Sequence, residues 1–281
     1  RYEKTFYGRP FRDNEFCTVY VCRRPVEIDD MTLQADEVDR VDWFDLEAAW
    51  AELPARRDIY CVPTEGMAVL RDFLKRQEGE GPMEIDMTME KLQPVHTRLT
   101  LESGVARVAK TDKQTPDENT YVKVRDLQFH NGSIDVDVRG GLLPDAPDYA
   151  RGFIGIVFRA DPRDSAFECF YIRPTNGRGC DDPVRRAHGC QYFSYPGYTF
   201  AYFREFGIEG YEAPVDSVAL DEWSHICAEI EGDTGVFYVD GAEVLRVSGM
   251  KHGPDARGSV GLYVDIGTDG WFRNLRIDCR D

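Results

Sequence analysis

The chain of 281 residues is too long for one small domain and long enough for two domains that each bury a core. Its 34 basic and 51 acidic residues give a formal charge of −17, which repels polyanions, so we expect no nucleic-acid partner. No apolar run reaches the roughly 20 residues of a membrane-spanning helix, so we expect no membrane partner either.

The compartment is argued from the cysteines, because the chain begins at Arg1 rather than methionine and we expect the natural N-terminus to be missing. The eight cysteines include no C-x-x-C pair, and several lie in strand-like runs where a reduced thiol acts as a small hydrophobe. This favours a reducing, cytoplasmic compartment. Two alternatives stay open for Cys180 and Cys190: a disulfide across a loop, or a zinc site completed by His188.

Residues 1–79 have a mixed α/β pattern. Residues 15–22 are rich in β-branched and aromatic types, and residues 37–44 alternate between apolar and polar, so each segment predicts a strand. Asp45 is a good N-cap for a helix that Pro54 ends. A second helix is predicted to start near Thr64.

This order resembles the C-terminal half of Nudix hydrolases and of isopentenyl-diphosphate isomerase-like proteins. The resemblance lies in residues 14–16, in the phrase over residues 36–46 and in Val62-Pro63-Thr64. The glutamate-rich box with which this family holds a divalent metal ion is absent, so we expect no cofactor and no diphosphate hydrolysis from this chain. Two explanations stay open: the box lies upstream of Arg1, where it would bind Mg²⁺, or the fold has decayed.

Residues 80–281 read as strands. Residues 133–139 alternate strictly, with Asn131-Gly132 predicted as the preceding turn, and Asp240-Gly241 indicates a hairpin. About a dozen such segments with turn residues between them predict a two-sheet antiparallel sandwich. The fold class is therefore mainly β, preceded by a small α/β Nudix-type fragment.

The strand phrases over residues 152–159 and 167–174 resemble the concanavalin A-like, or laminin-G-like, jelly roll. The last phrase, residues 270–277, is similar to domains of the 3-keto-disaccharide hydrolase-like type. The resemblance implies a jelly roll, a fold that serves lectins, glycanases and adhesion modules alike.

A glycan site on such a sandwich needs aromatic rings and forked polar groups. The candidate ligand-binding residues are Arg159, Glu168, Arg173, Gln191 and Tyr192, with Tyr195, Tyr198 and Tyr202 in the aromatic loop beyond them. Strand alternation predicts that Arg159 lies on the side of Val157, and that Arg173 lies on the side of Tyr171. The structural alternative is an ion pair with Glu168 or a neighbouring acid.

Hydrolysis of a glycan would need two carboxylates about 5–10 Å apart. Asp135 and Asp137 share a strand face but are predicted to face solvent, and no catalytic acid pair is evident. Asp181-Asp182 is a weak hint of a calcium site.

The sequence therefore predicts a carbohydrate-binding jelly-roll module attached to a partial Nudix-like domain, with a glycan or another small polar ligand as partner. Two alternatives are kept: a Nudix-family enzyme whose catalytic half lies upstream, and a jelly roll that hydrolyses glycans. Whether the chain is an enzyme, which sugar it would bind and its oligomeric state are left open.

Overall fold

The computed structural model describes residues 2–6, 9–13, 28, 31–32, 36, 38, 40–52, 70, 82–111 and 115–280, with only the backbone for 2–6, 9–13 and 47. The chain divides into two compact units, Arg1–Gly81 and Pro82–Asp281. The predicted boundary, between residues 79 and 80, lies two residues earlier. Within the described residues, no helix has the length and apolar character that crossing a membrane requires.

In the first unit, strands β1 (Tyr2–Phe6) and β2 (Arg9–Asp13) pair antiparallel, and helix α1 spans Leu46–Glu52. The predicted N-cap is confirmed, because Oδ1 of Asp45 accepts a hydrogen bond from the Ala48 N–H at 2.8 Å. The predicted strand over residues 15–22 lies outside the described residues. So does the second helix, apart from Leu70, which is helical.

The predicted strand over residues 37–44 is wrong where it can be checked, since residues 38 and 40–44 belong to no strand. Alternation predicts that one side of this phrase is buried, yet Trp43 and Phe44 are 67% and 69% exposed. With no covered face, these apolar side chains provide no packing energy to hold an extended strand. The described part of this unit therefore does not show the Nudix-type fragment.

Within its described residues, 82–111 and 115–280, the second unit is built from fifteen strands. In chain order they are β3 (Met83–Glu84), β4 (Leu92–Val95), β5 (Thr97–Glu102), β6 (Val105–Lys110), β7 (Tyr121–Val124), β8 (Asn131–Leu142), β9 (Ile154–Ala160), β10 (Phe167–Ile172), β11 (Cys190–Tyr195), β12 (Glu212–Ala213), β13 (Trp223–Glu231), β14 (Thr234–Val239), β15 (Ala242–Ser248), β16 (Ser259–Val264) and β17 (Thr268–Arg280). Two short helices, α2 (Pro183–Arg186) and α3 (Phe200–Glu205), and a 3-10 turn at Pro174–Asn176 lie in the connections.

These strands form two antiparallel sheets. The seven-stranded sheet has the order β12-β11-β10-β9-β16-β7-β4, and the eight-stranded sheet has the order β15-β14-β13-β8-β17-β6-β5, with β3 beside β17. The mainly β fold of two antiparallel sheets, predicted for a jelly-roll sandwich, is confirmed.

Local sequence signals mark several strands correctly. Ile134, Val136 and Val138 of β8 are buried, while Asp135 and Asp137 lie on its other face. Asp240 and Gly241 join β14 to β15 with φ angles of 50° and 81°, as a two-residue hairpin requires. Asn131-Gly132 is not a turn, however, because β8 already begins at Asn131.

The two sheets pack face to face through aromatic rings. Phe237 of β14 stacks on Phe170 of β10 with ring centroids 4.4 Å apart. Since successive residues of a strand point to opposite faces, Tyr171 points away from the eight-stranded sheet. Every residue of β9, β10 and β16 is nevertheless buried, so this second face of the seven-stranded sheet is covered as well.

Candidate ligand-binding site

A row of polar side chains crosses the covered face of the seven-stranded sheet. Tyr171 pairs in register with Gln191 on one side and with Gly155 on the other, and Gly155 pairs with Tyr263. A Cβ atom on Gly155 would lie 2.8 Å from the Cβ of Tyr171. Because this position is glycine, the rings of Tyr171 and Tyr263 approach to 5.7 Å between centroids.

Arg173 is the basic centre of this face. Its Nη1 donates to Oε1 of Glu212 at 2.8 Å, and its Nη2 donates to the Tyr171 hydroxyl at 3.0 Å and to Oε1 of Gln191. The Tyr171 hydroxyl also donates to Oε1 of Gln191 at 2.9 Å. An arginine that is 5% exposed is therefore held by charge-assisted bonds, as burial of a cation requires.

Two buried carboxylates complete the arrangement. The backbone N–H of Asp117 donates to Oδ2 of Asp265 at 2.8 Å, and the Tyr263 hydroxyl donates to the same oxygen at 3.1 Å. Lys110 binds the other oxygen of Asp265 at 2.7 Å. We call Asp117, Tyr171, Arg173, Gln191, Tyr263 and Asp265 the buried polar cluster.

The carboxyl of Asp117 is the unusual titrating group of the cluster. Burial, reinforced by the nearby charge of Asp265, raises the pKa of Asp117 from 3.8 to about 7, although the Phe200 N–H and Arg173 act to lower it. Its proton is therefore exchanged near neutral pH rather than in acid.

The buried polar cluster holds a short helix against the sheet. Oδ2 of Asp117 accepts a hydrogen bond of 2.6 Å from the backbone N–H of Phe200, the first residue of α3. Phe203 of the same helix stacks on Tyr211 with centroids 4.2 Å apart. Arg204 binds Oε2 of Glu212 at 3.1 Å, so that Glu212 joins the helix to Arg173.

Aromatic rings emerge at the surface of this segment. Phe206 is 62% exposed, and Tyr198 and Phe200 are more than one-third exposed. Tyr202 lies between Tyr198 and Phe206, with centroid distances of 5.0 and 4.9 Å. We call Tyr198, Phe200, Tyr202 and Phe206 the aromatic surface.

Cationic groups stand beside these rings. The guanidinium of Arg204 lies 4.9 Å from the centroid of Phe200. Nζ of Lys251 lies 5.7 Å from the centroid of Tyr198 and donates to the Tyr211 hydroxyl at 2.9 Å. The surface thus combines apolar rings with hydrogen-bond donors.

The five predicted site residues do not form one site. Arg173 and Gln191 lie in the buried polar cluster, whereas Glu168 and Tyr192 point to the opposite face of the same sheet. There the Tyr192 hydroxyl donates to Oε2 of Glu168 and accepts from the Lys251 N–H at 3.0 Å. All five side chains are buried, so their ligand contacts remain a prediction.

Arg159 departs from the predicted alternation. Its φ angle of 55° breaks the extended backbone, and the register between β9 and β16 shifts beside it. The guanidinium consequently binds the carbonyl oxygens of His130 at 2.9 Å and of Gly232 at 2.7 Å, on the side of the eight-stranded sheet. It does not share a face with Arg173.

We expect Tyr192→Phe to lower the free energy of unfolding by about 1–3 kcal/mol, because Oε2 of Glu168 loses its donor and the Lys251 N–H loses its acceptor. Burial raises the pKa of Tyr192, so its hydroxyl is a donor throughout the accessible pH range. Urea denaturation measures the effect. Tyr238→Phe is the matched control, since the Tyr238 hydroxyl also donates to a glutamate, Glu229, at 3.2 Å, but in an exposed hydrogen bond. An equal loss of stability in both variants would contradict the prediction.

Sequence reasoning missed Asp117 and Asp265, which lie 148 positions apart. Only the end of strand β16, just before Asp265, could have indicated a polar group at the sheet margin. Both carboxylates are buried, so the expectation that the chain has no catalytic acid pair stays a prediction.

The described residues bear on the disulfide, zinc and calcium alternatives of the sequence analysis. Cys180 and Cys190 are free thiols. The described residues hold no group of three or more His, Cys, Asp or Glu side chains that could bind a metal ion. Asp182 instead caps α2, accepting from the Val184 N–H at 2.9 Å.

No family model matches the sequence, and no curated protein matches it. Among solved structures, the carbohydrate-binding module CBM66 from Bacillus subtilis is similar at 15% identity and a TM-score of 0.48, over 67% of this chain and 95% of that chain. A β-glucanase from Bacillus licheniformis is similar at 12% identity and a TM-score of 0.43, over 71% and 99%. Porphyranase B from Zobellia galactanivorans is similar at 12% identity and a TM-score of 0.41, over 71% and 88%. The likeness is too distant to indicate a ligand.

Proposed function

We propose that this chain binds carbohydrate through the aromatic surface of its β-sandwich. The observation that carries the proposal is a set of neighbouring exposed rings, Tyr198, Phe200 and Phe206, on one short segment. Soluble proteins rarely expose contiguous apolar rings without a partner. Flat aromatic faces suit the apolar faces of sugar rings, and tyrosine hydroxyls can bond to sugar hydroxyls.

The donors beside the rings support a polyhydroxylated ligand. Arg204 and Lys251 lie within hydrogen-bonding reach of a molecule resting on Phe200 or Tyr198. Both side chains donate several hydrogen bonds and accept none, which complements the oxygen atoms of a sugar.

The surface is also held in place before a ligand arrives. The Phe200 N–H is bound by Asp117, and Phe203 is buried against Tyr211. A preorganised site loses less side-chain and backbone entropy on binding, so modest contacts suffice for measurable affinity.

Glycan hydrolysis is less well supported. Asp117 and Asp265 are within a few ångströms of each other, but both are buried, and Asp265 is bound by Lys110 and Tyr263. A general acid must reach the glycosidic oxygen, and the Asp117 carboxyl is bound by the first N–H of α3. The Nudix resemblance of residues 1–79 remains a prediction, and no described residue favours diphosphate chemistry.

We expect the double substitution Tyr198→Ala and Phe206→Ala to weaken glycan binding at least tenfold, because it removes two exposed rings without entering the core. A glycan array identifies ligands of the full chain, and titration calorimetry measures the affinity of each variant. Tyr149→Ala is the matched control, since Tyr149 is 51% exposed and lies outside this surface. An unchanged glycan affinity in the double variant, or no glycan bound by the wild type, would contradict the proposal.

A further inference from the structure

The eight-stranded sheet carries a second, unrelated surface on the face turned away from the core. In β17 and β8 the neighbouring residues Phe272 and Val138 are buried, so Trp271 and Arg139 point outward. Register places one residue from each of five adjacent strands in a transverse row. In order across the sheet the row is Trp223, Arg139, Trp271, Arg107 and Thr100.

Tryptophan and arginine side chains alternate along this row, and Trp271 stacks between two arginines, whereas Trp223 is stacked by Arg273 at 4.2 Å. The guanidinium carbons of Arg107 and Arg139 lie 5.0 and 5.3 Å from the centroid of Trp271, one on each neighbouring strand. Arg98 lies beside the row on β5 and helps to line a surface pocket of about 70 Å³ with Thr100 and Arg107. We call Arg98, Thr100, Arg107, Arg139, Trp223 and Trp271 the arginine–tryptophan surface.

Positive charge on this surface exceeds what nearby acids neutralise. Arg107 forms a bidentate ion pair with Asp269, with N–O distances of 2.7 and 2.9 Å. Arg139 has only Asp221 at 3.9 Å, and its Nε donates to no acceptor within the described part of the chain. The side chain of Arg98 is exposed, and its guanidinium forms no hydrogen bond or ion pair among the described residues.

We propose that the arginine–tryptophan surface binds an acidic polysaccharide, whose carboxylate or sulfate groups are held by Arg98 and Arg139. These two residues stand on β5 and β8, three strand spacings or about 15 Å apart, a span that suits an extended chain lying across the strands. Guanidinium groups match carboxylate and sulfate geometry with paired N–H donors. The two tryptophans, about 10 Å apart across one intervening strand, provide apolar surface for the sugar rings between the charges.

Charge complementarity distinguishes this ligand from a nucleic acid. The chain as a whole carries −17, so a locally cationic row must attract its ligand against a general repulsion. Duplex DNA carries one charge per about 1.7 Å and would meet this repulsion along its whole length. An acidic polysaccharide carries its charges farther apart and exposes apolar sugar faces between them. This site is separate from the aromatic surface, which lies on segments beside the seven-stranded sheet.

The proposal is tested by titrating the full chain with polygalacturonate and recording tryptophan fluorescence. Fully methyl-esterified polygalacturonate has the same backbone without the charges and should bind at least tenfold more weakly. The double variant Arg98→Gln and Arg139→Gln should weaken polygalacturonate binding at least fivefold. Arg276→Gln removes the same charge from β17 outside the row, opposite Asp135, and should change the affinity less than twofold.

Two further arms identify the charged group and the class of ligand. Dextran sulfate that binds more tightly than polygalacturonate would assign sulfate, and the reverse would assign carboxylate. A 20-nucleotide single-stranded DNA that binds as tightly as either, no binding of either polysaccharide, or equal affinity for the esterified polymer would overturn the proposal. The double variant Tyr198→Ala and Phe206→Ala should bind polygalacturonate normally. The proposal for the arginine–tryptophan surface can therefore fail or hold independently of the proposal for the aromatic surface.

Discussion

Replacing Asp117 by asparagine is expected to abolish a loss of stability that the wild-type protein undergoes as the pH rises from 3.8 to about 7. Burial raises the pKa of Asp117 in the folded state, so within this window the folded protein holds a proton that the unfolded chain has released. Folding stability therefore falls with rising pH. The raised pKa corresponds to about 4 kcal/mol, since one pKa unit is worth about 1.4 kcal/mol.

Asparagine imitates the protonated carboxyl. Its oxygen can accept from the Phe200 N–H, its NH₂ can donate to the Tyr171 hydroxyl, and it tolerates the φ angle of 54° at this position. The stability difference between variant and wild type should thus be small at pH 4 and grow towards pH 8, as urea denaturation at a series of pH values will show.

Asp240→Asn is the matched control for this substitution. Asp240 also has a positive φ angle, 50°, and its carboxylate also accepts a backbone N–H, that of His225 at 2.9 Å, but it is exposed. A pH dependence that survives in Asp117→Asn, or disappears equally in Asp240→Asn, would show that Asp117 is not the titrating group.

Replacing Arg173 by methionine is expected to lower the free energy of unfolding by about 3–5 kcal/mol, because it leaves buried acceptors without their charged donor. Methionine preserves most of the length of the side chain but none of its donors. The acceptors that lose a partner are Glu212, the Tyr171 hydroxyl, Oε1 of Gln191 and the His188 carbonyl oxygen.

Arg178→Met provides the comparison for an ion pair in solvent. Arg178 pairs with Glu222, and both side chains are more than half exposed, so its loss should change stability by less than about 0.5 kcal/mol. Thermal or urea denaturation of both variants measures the difference. If Arg173→Met unfolds like the wild type, the buried polar cluster does not stabilise the sheet.

Much of the sandwich could be predicted because its signals are local. The alternation over residues 133–139 and the turn at Asp240-Gly241 depend only on neighbours in sequence, and both are found in β8 and in the β14–β15 hairpin. The phrase over residues 37–44 has a similar alternation but no strand in its described residues. Period alone does not create a strand unless another element covers its apolar side.

The candidate site was harder to predict because its contacts are distant in sequence. Asp117 meets Phe200, 83 positions away, and Asp265, 148 positions away, and no local pattern links them. Arg159 was assigned to the wrong face because its positive φ angle cannot be read from strand alternation. Glu168 and Tyr192 interact as a buried pair, and their ligand contacts stay a prediction.

The exposed rings lie on the segment that connects β11 to the two-residue edge strand β12. In the proposed glycan site, exchange of a few exposed side chains would therefore change the ligand preference, while the residues that hold the fold together stay unchanged. A library randomised at Tyr198, Phe200 and Phe206 would sample new specificities on an unchanged scaffold, as antibody hypervariable loops do.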